Sequence, residues 1–165
     1  EDKEHSARKQ EVNLARLATE TVQDFVPRSL EKRIDLGYEG PSRVPADCML
    51  EGNRTLLGEM VQNLVDNAIN YTPSGGMVTV RLLTDRFSGV VVLQVEDNGP
   101  GIPENERELV LQPFYRVEGS RNRHTGGVGL GLAAAHDIAR QHGGSLQLRN
   151  RPGGGLEAEL VLPLG

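Results

Sequence analysis

The sequence predicts an α+β fold. It is a two-layer α/β sandwich in which a mixed, mostly antiparallel sheet of about five strands is covered on one face by about three helices. Three observations carry this. Apolar residues recur at helical spacing in "MVQNLVDNAINYT" (60–72). Two β-rich runs, "MVTVRLLTD" (77–85) and "GVVVLQVED" (89–97), are joined by the short connection "RFSG". The order along the chain is helix, strands, helix, hairpin, helix, hairpin, with no internal repeat.

Residues 1–10 are polar and aperiodic and read as a tail or linker remnant, which leaves 11–165 as one domain. "VNLARLATETVQDF" places Leu14, Leu17, Ala18, Val22 and Phe25 on one helical face, and Pro27 can kink or interrupt that helix. "RIDLGYEG" alternates Ile34, Leu36 and Tyr38 as a strand does, and Gly40-Pro41 closes it. "DCMLEGN" is a short second strand or an extended loop. Asn53 is placed to cap a helix running to about Tyr71, which "TPSGG" ends. "NGPGIP" (98–103) breaks the strand before it, 104–111 suggests a short helix, and 112–127 is a long basic loop. "VGLGLAAAHDIARQH" is a helix that starts among glycines, and "SLQLRN" with "LEAELVLP" forms a last antiparallel hairpin around "RPGGG".

Composition excludes several classes. The chain has 165 residues, 37% apolar and 25% charged, and a net charge of −5, which argues against nucleic-acid binding as the main function. No apolar run approaches the ~20 residues of a membrane span, and no signal-peptide pattern opens the chain. The one cysteine, Cys48, has no intrachain partner, and no Cys/His cluster points to zinc; a reducing, cytosolic compartment fits.

Four constellations carry chemistry. Asn63 and Asn67 are four residues apart and project from one helical face, with Asn70 continuing the stripe. Amide oxygens suit magnesium, which shares its coordination with water and substrate phosphates, although the stripe taken alone fits a plain polar face better. In "EDNGPGIP", Asp97 ends a buried strand and can accept from an exocyclic amine, while Gly99 and Gly101 let the backbone turn close to a flat ligand; a strand-ending turn has the same composition. In "TGGVGLGLAAA", Gly127, Gly129 and Gly131 alternate at a helix start, where backbone amides make an anion site. It is neither a P-loop nor a dinucleotide fingerprint. In "QPFYR", Phe114 and Tyr115 sit among Arg116, Arg121 and Arg123, whose guanidinium groups suit phosphate oxygens.

Together, in this order, the four resemble the catalytic and ATP-binding domain of bacterial sensor histidine kinases, within the superfamily shared with gyrase, the ninety-kilodalton heat-shock chaperones and mismatch-repair ATPases. The matching stretches are "NLVDNAINYT", "DNGPGI", "PFYR", "GVGLGL" and "HGGSLQLRN", over about residues 11–165. The resemblance implies a Bergerat-type ATP-binding fold and Mg-ATP as ligand. It implies magnesium on Asn67, with Asn63 near the phosphates and the metal. Tyr71 would flank the adenine, Asp97 would accept its amino group, and Gly99, Gly101 and Ile102 would shape its pocket. Phe114 and Arg116 would belong to a lid, with Arg116 toward the terminal phosphate. Gly127, Val128, Gly129 and Gly131 would bring backbone amides to the phosphates, and Leu130 and Leu132 would pack lid and helix on the core. Many of these kinases carry Lys or Arg where this chain has Asn70, so its contact with nucleotide stays open.

Hydrolysing members of the superfamily carry a glutamate one turn before the magnesium asparagine. Here that position is Asn63, an amide that is no base at neutral pH. The resemblance therefore implies transfer of the terminal phosphate to a histidine on a separate dimerisation and phosphoacceptor domain, with a response regulator downstream. His5 lacks the acceptor motif, and His124, His136 and His142 lie in the lid or the last helix. The dimerisation helices would lie upstream, in a parent that is an inner-membrane sensor. This domain would be cytoplasmic, without membrane contact, and monomeric alone. A nucleotide-sensing module without transfer, or a serine kinase or ATPase of the same superfamily, are the competing readings.

Overall fold

The computed structural model describes residues 9–41, 48–101, 104–107, 111 and 128–165. The elements are β1 (Gln10–Asn13), α1 (Leu14–Glu31), β2 (Asp35–Glu39), β3 (Met49–Gly52), α2 (Arg54–Tyr71), β4 (Met77–Asp85), β5 (Val90–Asp97), a 3-10 turn (Glu104–Glu106), α3 (Val128–Gln141), β6 (Ser145–Asn150) and β7 (Leu156–Pro163). Five strands form one sheet in the order β2-β4-β5-β7-β6. Its β2–β4 pair is parallel and the other three pairs are antiparallel. The three helices cover one face, so the α+β sandwich expected from the sequence is the fold observed.

Period-two alternation sorts the strands. Val91, Leu93 and Val95 of β5 point to the helices, beside Val80 and Leu82 of β4 and Ala158, Leu160 and Leu162 of β7, and all are buried. Against them α2 buries Leu57, Met60, Val61, Leu64, Val65, Ala68 and Ile69. Each large side chain there contributes about 1.5–3 kcal/mol relative to exposure. Helix α2 begins as expected, with Asn53 Oδ1 accepting from the Leu56 N–H at 3.0 Å.

Two expectations are corrected. Residues 10–13 are not tail and helix but a strand, β1, paired antiparallel with β3 in a separate two-stranded ribbon. Val12, 1% exposed, anchors it, and Asn13 at its end caps α1 by accepting from the Arg16 N–H at 3.1 Å. "DCMLEGN" thus holds a strand of the ribbon, not of the main sheet. Second, Pro27 neither stops α1 nor ends it early: the helix continues to Glu31. The missing proline N–H leaves one carbonyl without its helical partner. The turn beyond is held by other means. Ser29 is buried and donates to Val26 O at 2.8 Å, and Arg33 at φ +61° closes the helix with Ile34 N donating to Ser29 O at 2.8 Å.

The C-terminal ends of β5 and α2 and the N-terminal end of α3 come together at one end of the sandwich. The ribbon and the carboxyl end of α3 lie at the other: Gly165 N donates to Met49 O at 3.2 Å and Asn53 N to His142 Nε2 at 3.0 Å.

Candidate functional site

At that first end a narrow cleft opens between sheet and helices, lined by Leu64, Asn67, Ala68, Tyr71, Val95, Asp97, Leu132, Leu156 and Ala158. Its walls are mostly aliphatic. Its polar groups are Asp97 from β5 and Asn67 and Tyr71 from successive turns of α2.

Asp97 falls in the cleft by parity. It is the fourth inward position of β5 after Val91, Leu93 and Val95, and it is 3% exposed. Its Oδ1 accepts from the Gly99 N–H at 2.9 Å and the Leu156 N–H at 3.3 Å. Among the described residues Oδ2 takes no such bond. Burial pushes the carboxyl upward in pKa, opposed by those two N–H donors and by the Arg151 charge. Arg151 Nη1 donates to the Asp97 backbone carbonyl at 3.1 Å. Gly155, at φ +104°, packs directly on the same carbonyl: a Cβ there would lie 1.9 Å from Asp97 O, so only glycine permits this closeness.

Asn67 is 8% exposed and faces α3. A Cβ on Gly131 would stand 3.6 Å from its Nδ2 and 3.8 Å from its Oδ1, so the glycine leaves space beside the amide. Leu132, 2% exposed, forms the adjoining wall. Among the described residues no group of three His, Cys, Asp or Glu side chains is placed to hold a metal ion. A single neutral amide fits a hard cation that takes most of its oxygens from water and ligand phosphates.

The structure therefore gathers Asn67, Tyr71, Asp97 and Leu132 of the expected set. Gly99 supplies an N–H to Asp97, Gly101 follows at φ +79°, and Gly131 abuts Asn67. Val128, Gly129 and Leu130 form the first turn of α3. Asn63 is half-buried one turn before Asn67 and does not line the cleft. Asn70 does not line it either: its Oδ1 accepts from Arg28 Nη2 of α1. Ile102, Phe114, Arg116 and Gly127, with the rest of the basic loop, lie outside the described residues.

Leu156, Gly155 and Arg151 are site residues that the sequence reading passed over as a hairpin and its turn. Two of them act through backbone, and the excess glycine of "RPGGG" was the signal for them.

A family model described as histidine kinase-, DNA gyrase B- and HSP90-like ATPase matches residues 52–165. The sensor histidine kinase RppB of Synechocystis is 34% identical over 148 residues, which are 90% of this chain and 32% of RppB. The chain thus spans about a third of that relative. Among solved structures, the catalytic domain of histidine kinase ThkA superposes with a TM-score of 0.78 at 28% identity, covering 94% of this chain and 97% of that domain. ThkA solved in complex with the response regulator TrrA gives a TM-score of 0.76 at 25% identity, covering 95% of this chain and 42% of that one.

Proposed function

The chain belongs to the histidine kinase-, DNA gyrase B- and HSP90-like ATPase family, and from that premise we propose that it binds Mg-ATP and passes the terminal phosphate to a histidine on a separate phosphoacceptor domain. The observation that carries this is the buried Asp97, which lines an aliphatic cleft and has one oxygen pinned by two backbone N–H groups. An acceptor fixed in that manner suits the exocyclic amine of adenine, and the flat cleft walls suit its ring. Tyr71 flanks the ring, and Gly99 and Gly101 shape the turn beside it.

Asn67 is the residue that would hold magnesium, with Asn63, one turn earlier on α2, near the phosphates and the metal. Such a metal would supply neutralisation of phosphate charge. The first turn of α3, Val128 to Leu130 with Gly131, presents backbone N–H groups to the phosphates. Ile102, Phe114, Arg116 and Gly127 are proposed to complete the pocket and lid, with Arg116 toward the terminal phosphate. Asn63 offers no carboxylate to activate water, so an imidazole nitrogen of the partner attacks the terminal phosphorus and ADP departs.

The greater length of RppB supports a longer parent, in which dimerisation helices would lie upstream, and the likeness to ThkA in its complex with TrrA supports a response regulator downstream. In that arrangement the residues before β1 are linker, and this module is a monomer on the cytoplasmic side of an inner-membrane sensor. No helix among the described residues is long and apolar enough to cross a membrane.

The test mixes this chain, Mg-ATP and the histidine-bearing dimerisation domain of its parent. Acid-labile phosphate on the partner, with little ATP hydrolysis by the chain alone, is expected. ATP binding without transfer would replace the kinase by a nucleotide sensor.

A further inference from the structure

The amide face of α2 carries more than amides. Arg28, from the last turns of α1, reaches across to it: Nη1 donates to Asp66 Oδ1 and Nη2 to Asn70 Oδ1. The two acceptors are four residues apart on α2 and so lie on one ridge. At 3.6 residues per turn, Asn70 falls about 20° around the helix from Asn63 and about 60° from Asn67. The guanidinium is thereby fixed on the α1 side of α2, beside the stripe of which Asn67 lines the cleft.

A guanidinium has five N–H donors, and the two bonds use two of them. Among the described residues the Arg28 Nε–H and the second N–H of each terminal nitrogen make no hydrogen bond; the guanidinium carbon stands over the Phe25 ring, 5.9 Å from its centroid, and the side chain is 38% exposed. The contact also orients Asn70. With Oδ1 accepting from Arg28, Asn70 keeps its Nδ2 as a donor, while Asp66, its side chain 43% exposed, holds a carboxylate on the same ridge that offsets part of the guanidinium charge. The neighbouring cations are differently engaged. Lys32 Nζ donates to the carbonyls of Ile69 at 2.7 Å and Asn70 at 2.8 Å, closing the helix end. Arg151 lies at the Asp97 end.

We propose that Arg28 is a nucleotide-binding residue, a cation that α1 lends to the asparagine helix to contact the polyphosphate. This rests on the Mg-ATP reading above and adds to it a residue outside all four sequence constellations. It also gives Asn70 a role, as the acceptor that aims Arg28. Asp66 holds the guanidinium in place, and the planar donor fork still presents its free edge to phosphate oxygens.

The competing possibility is a clamp between α1 and α2 with no ligand contact. The two separate by ligand length. Affinities for ATP, ADP and adenosine, with magnesium present, are measured on the unaltered chain and on Arg28→Gln, Arg28→Lys and the double variant Arg28→Gln/Asn70→Lys. Arg28→Gln is expected to weaken ATP about tenfold, less at high salt, and adenosine by under about twofold. Arg28→Lys keeps most of the ATP affinity. Asn70→Lys, which returns a cation beside the same stripe from the other helix, restores it in the Gln background. Equal weakening of ATP and adenosine, or no weakening of ATP, overturns the proposal. If the unaltered chain binds adenosine and ATP alike, Arg28 has no phosphate to meet and the proposal falls while the adenine assignment stands. If it binds neither, the nucleotide reading falls first and takes this one with it.

Discussion

Asp97 is a carboxylate at 3% exposure, ending a strand whose other inward residues are valine and leucine. Its raised pKa means that the folded chain binds this proton more tightly than the unfolded chain does. The contribution to stability is full below the unfolded carboxylate range and is lost as pH rises through the folded value. Asp97→Asn keeps an oxygen for the Gly99 and Leu156 N–H groups but puts an NH2 in place of Oδ2, a donor opposed to the adenine donor. We expect the variant to melt at the same temperature or higher at pH 7, with the difference shrinking in acid. Its ATP affinity should fall at least about a hundredfold, as an unmatched buried donor pair costs several kcal/mol. Thermal melts across pH and nucleotide titration check both; near-normal affinity would refute the adenine assignment. Asp97, Asn67 and Tyr71 were legible in the sequence because each acts through its own side chain in a short motif. Asn70 was not, because a guanidinium 42 residues away decides where its amide points. Leu156 was not, because its N–H and its place in the cleft wall depend on a pairing with a residue 59 positions earlier.

The elements were legible wherever the hydrophobic period is long: α2, β4, β5 and the closing hairpin fall within a residue or so of their expected bounds. Strand β1 was hidden because four residues carry too little pattern, and its partner β3 lies across α1 and β2 in the chain. The joint between that ribbon and the helices rests on a histidine the motifs did not use. His142 Nε2 accepts from the Asn53 N–H at 3.0 Å, so the proton sits on Nδ1, 2.8 Å from Ile138 O. The end of α3 is thus tied to the start of α2. Gly52 makes room for the ring: a Cβ there would lie 2.4 Å from His142 Cδ2 and 2.9 Å from Leu57 Cδ1. With both nitrogens engaged, the imidazole cannot yield without losing Asn53. Gly52→Ala should therefore cost about 1–3 kcal/mol, read as a lower denaturation midpoint at unchanged slope. Nucleotide affinity of the folded protein should hold, and an unshifted midpoint would mean that the ring moves freely.

Across the whole molecule, stability and ligand chemistry sit at opposite ends of the sheet. Strand β5 runs from Val90, paired with Pro163, to Asp97, paired with Val78. Seven residue steps at ~3.4 Å each separate these ends by about 24 Å. The Val90 end carries the ribbon, through Leu164 N on Gly89 O at 2.9 Å and Gly165 N on Met49 O at 3.2 Å. The Asp97 end carries the cleft. This separation makes a test of which parts belong to which task. Starting the chain at Leu14 removes β1, uncovers β3 and takes away the Asn13 cap. Val12 accounts for about 2 kcal/mol of burial and the cap for about 1 kcal/mol. A loss of about 3 kcal/mol corresponds to a melting temperature lower by about 10 °C in a chain of this size. The cleft residues meet none of the removed groups, so ATP affinity below the melting transition should stay within about twofold of the full chain, since distant sites act independently. A parallel loss of affinity and stability would mean that the ribbon and the cleft form one cooperative unit, and that the ~24 Å between them is bridged through α2 and α3.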